Sequence, residues 1–107
     1  MDIAKKETLQ GLKRSLESLL GDRLAGIVLF GSMARGDFDE ESDIDVAIII
    51  RGLTRKVKHQ VLDEVAGFEL EHDMPVSALV LSEDEFSRLK KRERRIALDI
   101  EREGIPL

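Results

Sequence analysis

Two aspartates, Asp43 and Asp45, stand one residue apart at the start of the apolar run Val46-Ala47-Ile48-Ile49-Ile50. In extended backbone, side chains two apart share a face, so the pair predicts carboxylates held side by side. Such charges repel unless a cation lies between them, and charge beside a buried strand is costly without a partner. The chemistry this suggests is magnesium binding, because Mg2+ takes a few carboxylate oxygens and keeps its other positions for water and phosphates. Ten residues upstream, Gly31-Ser32 follows another apolar run, Leu24 to Phe30, and leads into a short helical turn through Met33-Ala34-Arg35. A glycine lets backbone approach a ligand, exposed amides entering a helical turn attract phosphate, and a serine hydroxyl adds a donor.

Neither half is diagnostic alone, since Gly-Ser pairs are common turn residues and Asp-x-Asp often marks a solvated edge. Two rival readings fail on the residues. Gly31 to Gly36 has the glycine spacing of a phosphate-binding P-loop, but Asp37 and Phe38 stand where lysine and a hydroxyl are needed. The acids Asp37, Asp39, Glu41, Asp43 and Asp45 alternate like a calcium loop, yet Ser42 and Ile48 occupy the positions that require glycine and glutamate. Asp37, Asp39, Glu40 and Glu41 therefore read as a solvated turn.

The elements that must hold these residues follow from periodicity. Leu9, Leu12, Leu16, Leu19 and Leu20 predict an amphipathic helix over 5–20, stopped by Gly21. Leu24 to Phe30 and Asp43 to Ile50 read as strands, the second buried on both faces near its end. Thr54 caps a predicted helix from Arg55 to Leu70 with Val57, Val61, Leu62, Val65 and Phe68 inward. A third strand spans Val76 to Leu81, and Ser82 with Glu85 forms a capping box for helix over Glu83 to Glu103, broken near Lys90. Gly104 and Pro106 end it. The order α-β-β-α-β-α predicts an α/β (α+β) domain, a small mixed sheet with helices packed against it.

The 107 residues predict one domain, 1–107, too small for a second ligand-closing lobe. A net charge of −5 disfavours general nucleic-acid binding, and the absence of cysteine excludes disulfides and thiolate sites. Tryptophan and tyrosine are also absent, leaving four phenylalanines for any base stacking. With no membrane-length apolar segment and no secretory signal, the expected location is cytoplasmic. His59 and His72 read as surface histidines, and the cluster Lys90-Lys91-Arg92-Glu93-Arg94-Arg95 as a solvated helix face.

Gly31-Ser32, ten residues, then Asp43-Ile44-Asp45 resembles the signature of the DNA polymerase β-like nucleotidyltransferase superfamily. The run from Gly31 to Gly36 and from Ser42 to Val46 is similar to its small members, the minimal nucleotidyltransferases. The resemblance implies that Gly31 and Ser32 hold a nucleoside triphosphate, ATP by preference, and that Asp43 and Asp45 are catalytic ligands of Mg2+, with Mn2+ as the substitute. It further implies transfer of a nucleotidyl group to an acceptor that no residue here names, and it suggests as that acceptor a HEPN-type protein toxin for which this chain is the antitoxin. The small lobe leaves the base and acceptor to be enclosed by another protein or by a second copy in a homodimer. Arg35 reads as a salt-bridge partner of the acidic loop. In one respect the chain departs from the family pattern. The strand Val76 to Leu81 lacks the third carboxylate expected there, Ser77 holds the matching place, and Glu71, Asp73 and Glu83 lie just outside. Besides the enzyme, two readings therefore stay open: a degenerate nucleotide-binding or partner-docking module, and a structural oligomerisation domain.

Overall fold

A computed structural model describes residues 3–31 and 43–107 of the chain. The helix α1 runs Ile3–Leu20 and gives way at Gly21, whose φ of 57° only glycine adopts without strain, to a 3-10 turn over Gly21–Arg23. The strands β1, Leu24–Phe30, and β2, Ile44–Ile50, pair antiparallel. The helix α2, Arg55–His72, then carries the chain back so that β3, Val76–Ser82, lies parallel to β2. A crossover helix is what a parallel pair demands. Helices α3, Glu83–Lys91, and α4, Arg95–Glu103, follow, and a two-residue strand β4, Ile105–Pro106, adds to the free side of β1. Among the described residues the sheet order is β3-β2-β1-β4, a mixed sheet as the sequence predicts.

The sheet separates two apolar layers because strand side chains alternate. Ile44, Val46, Ile48 and Ile50 of β2 pack with Leu9, Leu12 and Leu16 of α1 and with Val57, Val61, Val65 and Phe68 of α2. Ala47 and Ile49 face the other way, onto Phe30, Leu81 and Ile100, with Phe86 and Leu89 of α3 alongside. Burial on both faces accounts for the unbroken apolar run at the end of β2.

Two sequence expectations need correction. Leu19 and Leu62 continue the apolar periodicity of their helices but are each 40% exposed, since the buried stripe is narrower than the count of leucines suggests. The last helical stretch is two helices, broken just after Lys90 as the sequence predicts. Glu93 turns left-handed at φ 54° and the amides of Glu93 and Arg94 bond back to the carbonyls of Lys90 and Leu89, closing α3. Finally, Pro106 does not merely terminate the chain's last helix. It lies in β4 opposite Val28, where an edge position tolerates a residue without an amide hydrogen.

Both predicted caps form. Thr54 Oγ1 accepts from the Val57 amide at 3.2 Å, and Ser82 and Glu85 make the reciprocal capping box at 3.0 and 3.3 Å. Ser82→Ala should therefore destabilise the protein by about 1 kcal/mol, measured as a lower denaturation midpoint with an unchanged slope.

Candidate active site

Gly31 is the first residue after β1 and sits at φ 72°. A Cβ built there would overlap the Oδ2 of Asp45 and lie 3.2 Å from its Cγ. The space that a side chain at 31 would fill is thus held by the Asp45 carboxylate. The cause is the register of the antiparallel pair, which sets Phe30 opposite Asp45. Asp43 directly precedes β2 and is exposed, and the amide of Ile44 between the two aspartates donates to Pro75 O at 3.0 Å. That bond ties the carboxylate segment to the start of β3.

Asp45 shares the parity of Ala47 and Ile49 and so belongs to the sheet face covered by α3 and α4. The cover is incomplete. Ala47 and Ile49 are buried, whereas Asp45 is half-buried and Ser77, its neighbour in the parallel register, is exposed. The outermost row of this face, Phe30, Asp45 and Ser77, therefore forms a polar ledge at the end of the sheet. A ligand can reach a carboxylate there without unfolding any core.

The structure brings Gly31 and Asp45 into contact distance and leaves Asp43 two residues away on the same segment. Ser32, the other predicted phosphate residue, lies outside the described residues, as do Arg35 and the acids Asp37, Asp39, Glu40 and Glu41. Of the candidates for a third carboxylate, Glu83 is excluded. It follows β3 at the opposite end of the sheet, where it pairs with Arg51 at 3.4 Å. Glu71 borders a cleft between α1 and α2 and lies 3.9 Å from His72. Asp73 caps α2 in a left-handed conformation two residues before Pro75, and it alone of the three adjoins the segment tied to Ile44. Ser77 stands beside Asp45, where the sequence places it.

The donor set suits a hard cation. Asp45 on the ledge and exposed Asp43 two residues before it can supply oxygen ligands, and the ion's remaining positions would be left to water and substrate phosphates. Among the described residues no group of three or more His, Asp or Glu side chains could enclose a metal unaided. The other titratable features are peripheral. His59 and His72 are exposed, with His72 packed on Phe68 at a centroid distance of 4.5 Å. Within the basic cluster, Lys90 lies 4.0 Å from Glu101 and Arg95 3.9 Å from Asp99, the solvated arrangement that the sequence predicts. One neighbour was not legible beforehand. By pairing Ile105 with Leu29, β4 brings the end of α4 to the Phe30–Gly31 end of β1.

Known proteins are similar to the chain in sequence and in fold. The family model described as "Nucleotidyltransferase domain" matches residues 9–103. "Putative protein adenylyltransferase MJ0141" from Methanocaldococcus jannaschii is 36% identical over 75 residues, 69% of this chain and 76% of that protein. A second protein of that organism, "Putative protein adenylyltransferase MJ0604", is 33% identical over 85 residues, 78% of this chain and 80% of its own length. In fold, the chain is similar to the crystal structure of "a putative nucleotidyltransferase from Sulfolobus solfataricus", with a TM-score of 0.53 and 24% identity over 95% of this chain and 74% of the other. The matched region holds β1, the Asp43–Asp45 segment and both layers that support them, and on that ground the chain belongs to the nucleotidyltransferase family.

Proposed function

We propose that the ledge at the end of the sheet catalyses Mg2+-dependent transfer of AMP from ATP to a side chain of an acceptor protein. In this reading Gly31 and Ser32 receive the triphosphate, and Asp43 and Asp45 hold the metal. The observation that carries it is the packing of the Asp45 carboxylate into the space left by the missing side chain of Gly31. A phosphate settled on the Gly31 turn would lie against the carboxylate best placed to share a cation with it. Bound Mg2+ supplies charge neutralisation at the α-phosphate and at the departing pyrophosphate. The chain's own residues supply placement: β1 and β2 fix the turn and the carboxylates against each other, and the row beyond α3 and α4 leaves room for the acceptor. The acceptor oxygen forms its bond to the α-phosphorus as the bond to the β-phosphate oxygen breaks, pyrophosphate leaves, and the acceptor's proton passes to solvent.

A protein acceptor is supported by the names of the two relatives, and a HEPN-type toxin by the resemblance to the minimal nucleotidyltransferases. The test is incubation with α-labelled ATP, Mg2+ or Mn2+, and candidate acceptors, with a HEPN protein among them. Label on the acceptor that vanishes in Asp43→Asn and Asp45→Asn supports the reading, and no label with any metal or acceptor sinks it.

One observation favours a second reading, a nucleotide-binding module without turnover. Ser77 stands in register with Asp45 where a third carboxylate would complete the metal site. If the site is short of one ligand, Ser77→Asp should tighten Mn2+ binding about tenfold, equivalent to about 1.4 kcal/mol, as read by calorimetry. An unchanged Kd would show that position 77 does not face the ion. A binding module that does not turn over would still gain thermal stability with ATP, which separates it from a purely structural domain.

A further inference from the structure

The ledge runs across three strands in a chemically ordered row. The Gly31 turn closes β1, Asp45 stands on β2 with its carboxylate against Gly31, and Ser77 stands on β3 in register with Asp45. Residues in parallel register present their side chains to one face, so the Ser77 hydroxyl and the Asp45 carboxylate share the ledge. Neighbouring strands lie about 4.8 Å apart, which leaves about 10 Å from β1 to β3 along the row. Ser77 is exposed, and among the described residues its hydroxyl takes part in no hydrogen bond. Packing on this side of β3 is the work of Leu79 and Leu81, so the fold makes no use of that hydroxyl. Other hydroxyls are placed differently. Thr54 and Ser82 cap α2 and α3, and Thr8, Ser15 and Ser18 belong to α1 on the opposite side of the sheet.

We propose that Ser77 is itself an acceptor, and that the chain adenylylates its own Ser77 hydroxyl; this rests on the reading of the ledge as an ATP site given above. In-line displacement at phosphorus needs the attacking and departing oxygens on opposite sides of it, and the row supplies that order. With the β- and γ-phosphates on the Gly31 turn, the departing oxygen points toward β1 and the attacking oxygen comes from β3. The Ser77 Oγ forms its bond to the α-phosphorus as the bond from that phosphorus to the β-phosphate oxygen breaks. Pyrophosphate leaves, and the hydroxyl proton passes to water. The product is a phosphodiester between Ser77 and AMP, formed once per chain. Holding hydroxyl and nucleotide in one molecule removes the entropic cost of a bimolecular encounter. An AMP on Ser77 also lies across the row that an outside acceptor must reach, so self-modification limits further transfer.

Mass spectrometry of the full chain, incubated with ATP and Mg2+ or Mn2+ and no other protein, tests this. The wild-type chain should gain the mass of one AMP, located on Ser77 by fragmentation, with a half-time independent of chain concentration. Ser77→Ala and Asp45→Asn should gain none. A wild-type chain that stays unmodified, carries AMP on another residue, or is modified faster at higher concentration overturns the proposal. If an unmodified chain still labels an added acceptor, the transferase reading stands and only the role of Ser77 falls. A second measurement reads the geometry without turnover. The chain has no cysteine, so Ser77→Cys introduces a single thiol. The analogue α,β-methylene-ATP, whose bridging carbon cannot be displaced, should raise the melting temperature in the presence of Mg2+. At about ten times its Kd it should slow alkylation of that thiol by iodoacetamide about tenfold, the factor 1 + [L]/Kd. An analogue that stabilises the protein but leaves the alkylation rate unchanged overturns the proposal and spares the nucleotide site, whereas one that does not bind removes both.

Discussion

Asp45→Asn is expected to lower metal-dependent label transfer from ATP roughly 10³-fold, a loss of about 4 kcal/mol of transition-state stabilisation. The magnitude rests on geometry as well as charge. Asp45 is the carboxylate that fills the space beside Gly31, so it is the proposed ligand closest to the phosphate turn. Asparagine keeps nearly the same shape and half-buried position, and Asp45 lies in the outermost row of its sheet face, away from the buried residues Ala47 and Ile49. The fold should therefore survive, and the melting curve without metal should move little. The added stability that Mg2+ with ATP confers on the wild-type protein should vanish in the variant. An Asp45→Asn protein that still labels its acceptor at the wild-type rate would remove the carboxylate from the mechanism altogether.

The second large effect is expected at Gly31. Gly31→Ala asks an L-residue to adopt φ 72° and asks its methyl to share space with the Asp45 Oδ2. The backbone term costs about 1–2 kcal/mol, and the clash must be relieved by swinging the carboxylate or by moving the turn. Either movement displaces a proposed phosphate or metal ligand by about an ångström, enough to lower activity about 10²-fold. Gly11→Ala is the control. Gly11 lies inside α1, and the nearest atom a methyl there would meet is the Arg14 Nη2 at 3.9 Å, an ordinary contact. Alanine at that position should stabilise the protein by roughly 0.5–1 kcal/mol and leave label transfer unchanged. Equal behaviour of the two variants in stability and activity would mean that the Gly31 turn has no special role.

These contrasts show which parts of the protein are legible locally. Thr54 and Ser82 declare the starts of α2 and α3 because a cap is satisfied by residues three positions away. β1 begins and ends where its apolar run does, and β2 starts one residue inside its predicted span. The break between α3 and α4 falls close to the one expected near Lys90. No glycine or proline marks it, and a glutamate at φ 54° is tolerated because two backbone bonds close the helix around it.

The family resemblance marks Ser77 as standing where a third carboxylate is expected; by itself the sequence determined the mixed α/β class and the candidate residues Gly31-Ser32 and Asp43 with Asp45. Those properties follow from short-range periodicity and spacing, which chain geometry converts directly into strands, caps and faces. Only the tertiary structure decided that the Gly31 turn and Asp45 touch, because that contact depends on the register between strands separated by 13 residues. It also decided that Glu83 belongs to the far end of the sheet and that Leu62 is exposed while Val61 is buried. A residue's spacing states which face of its own element it occupies. What lies across from that face is set by packing between distant segments, and it is there that the carboxylate meets the glycine.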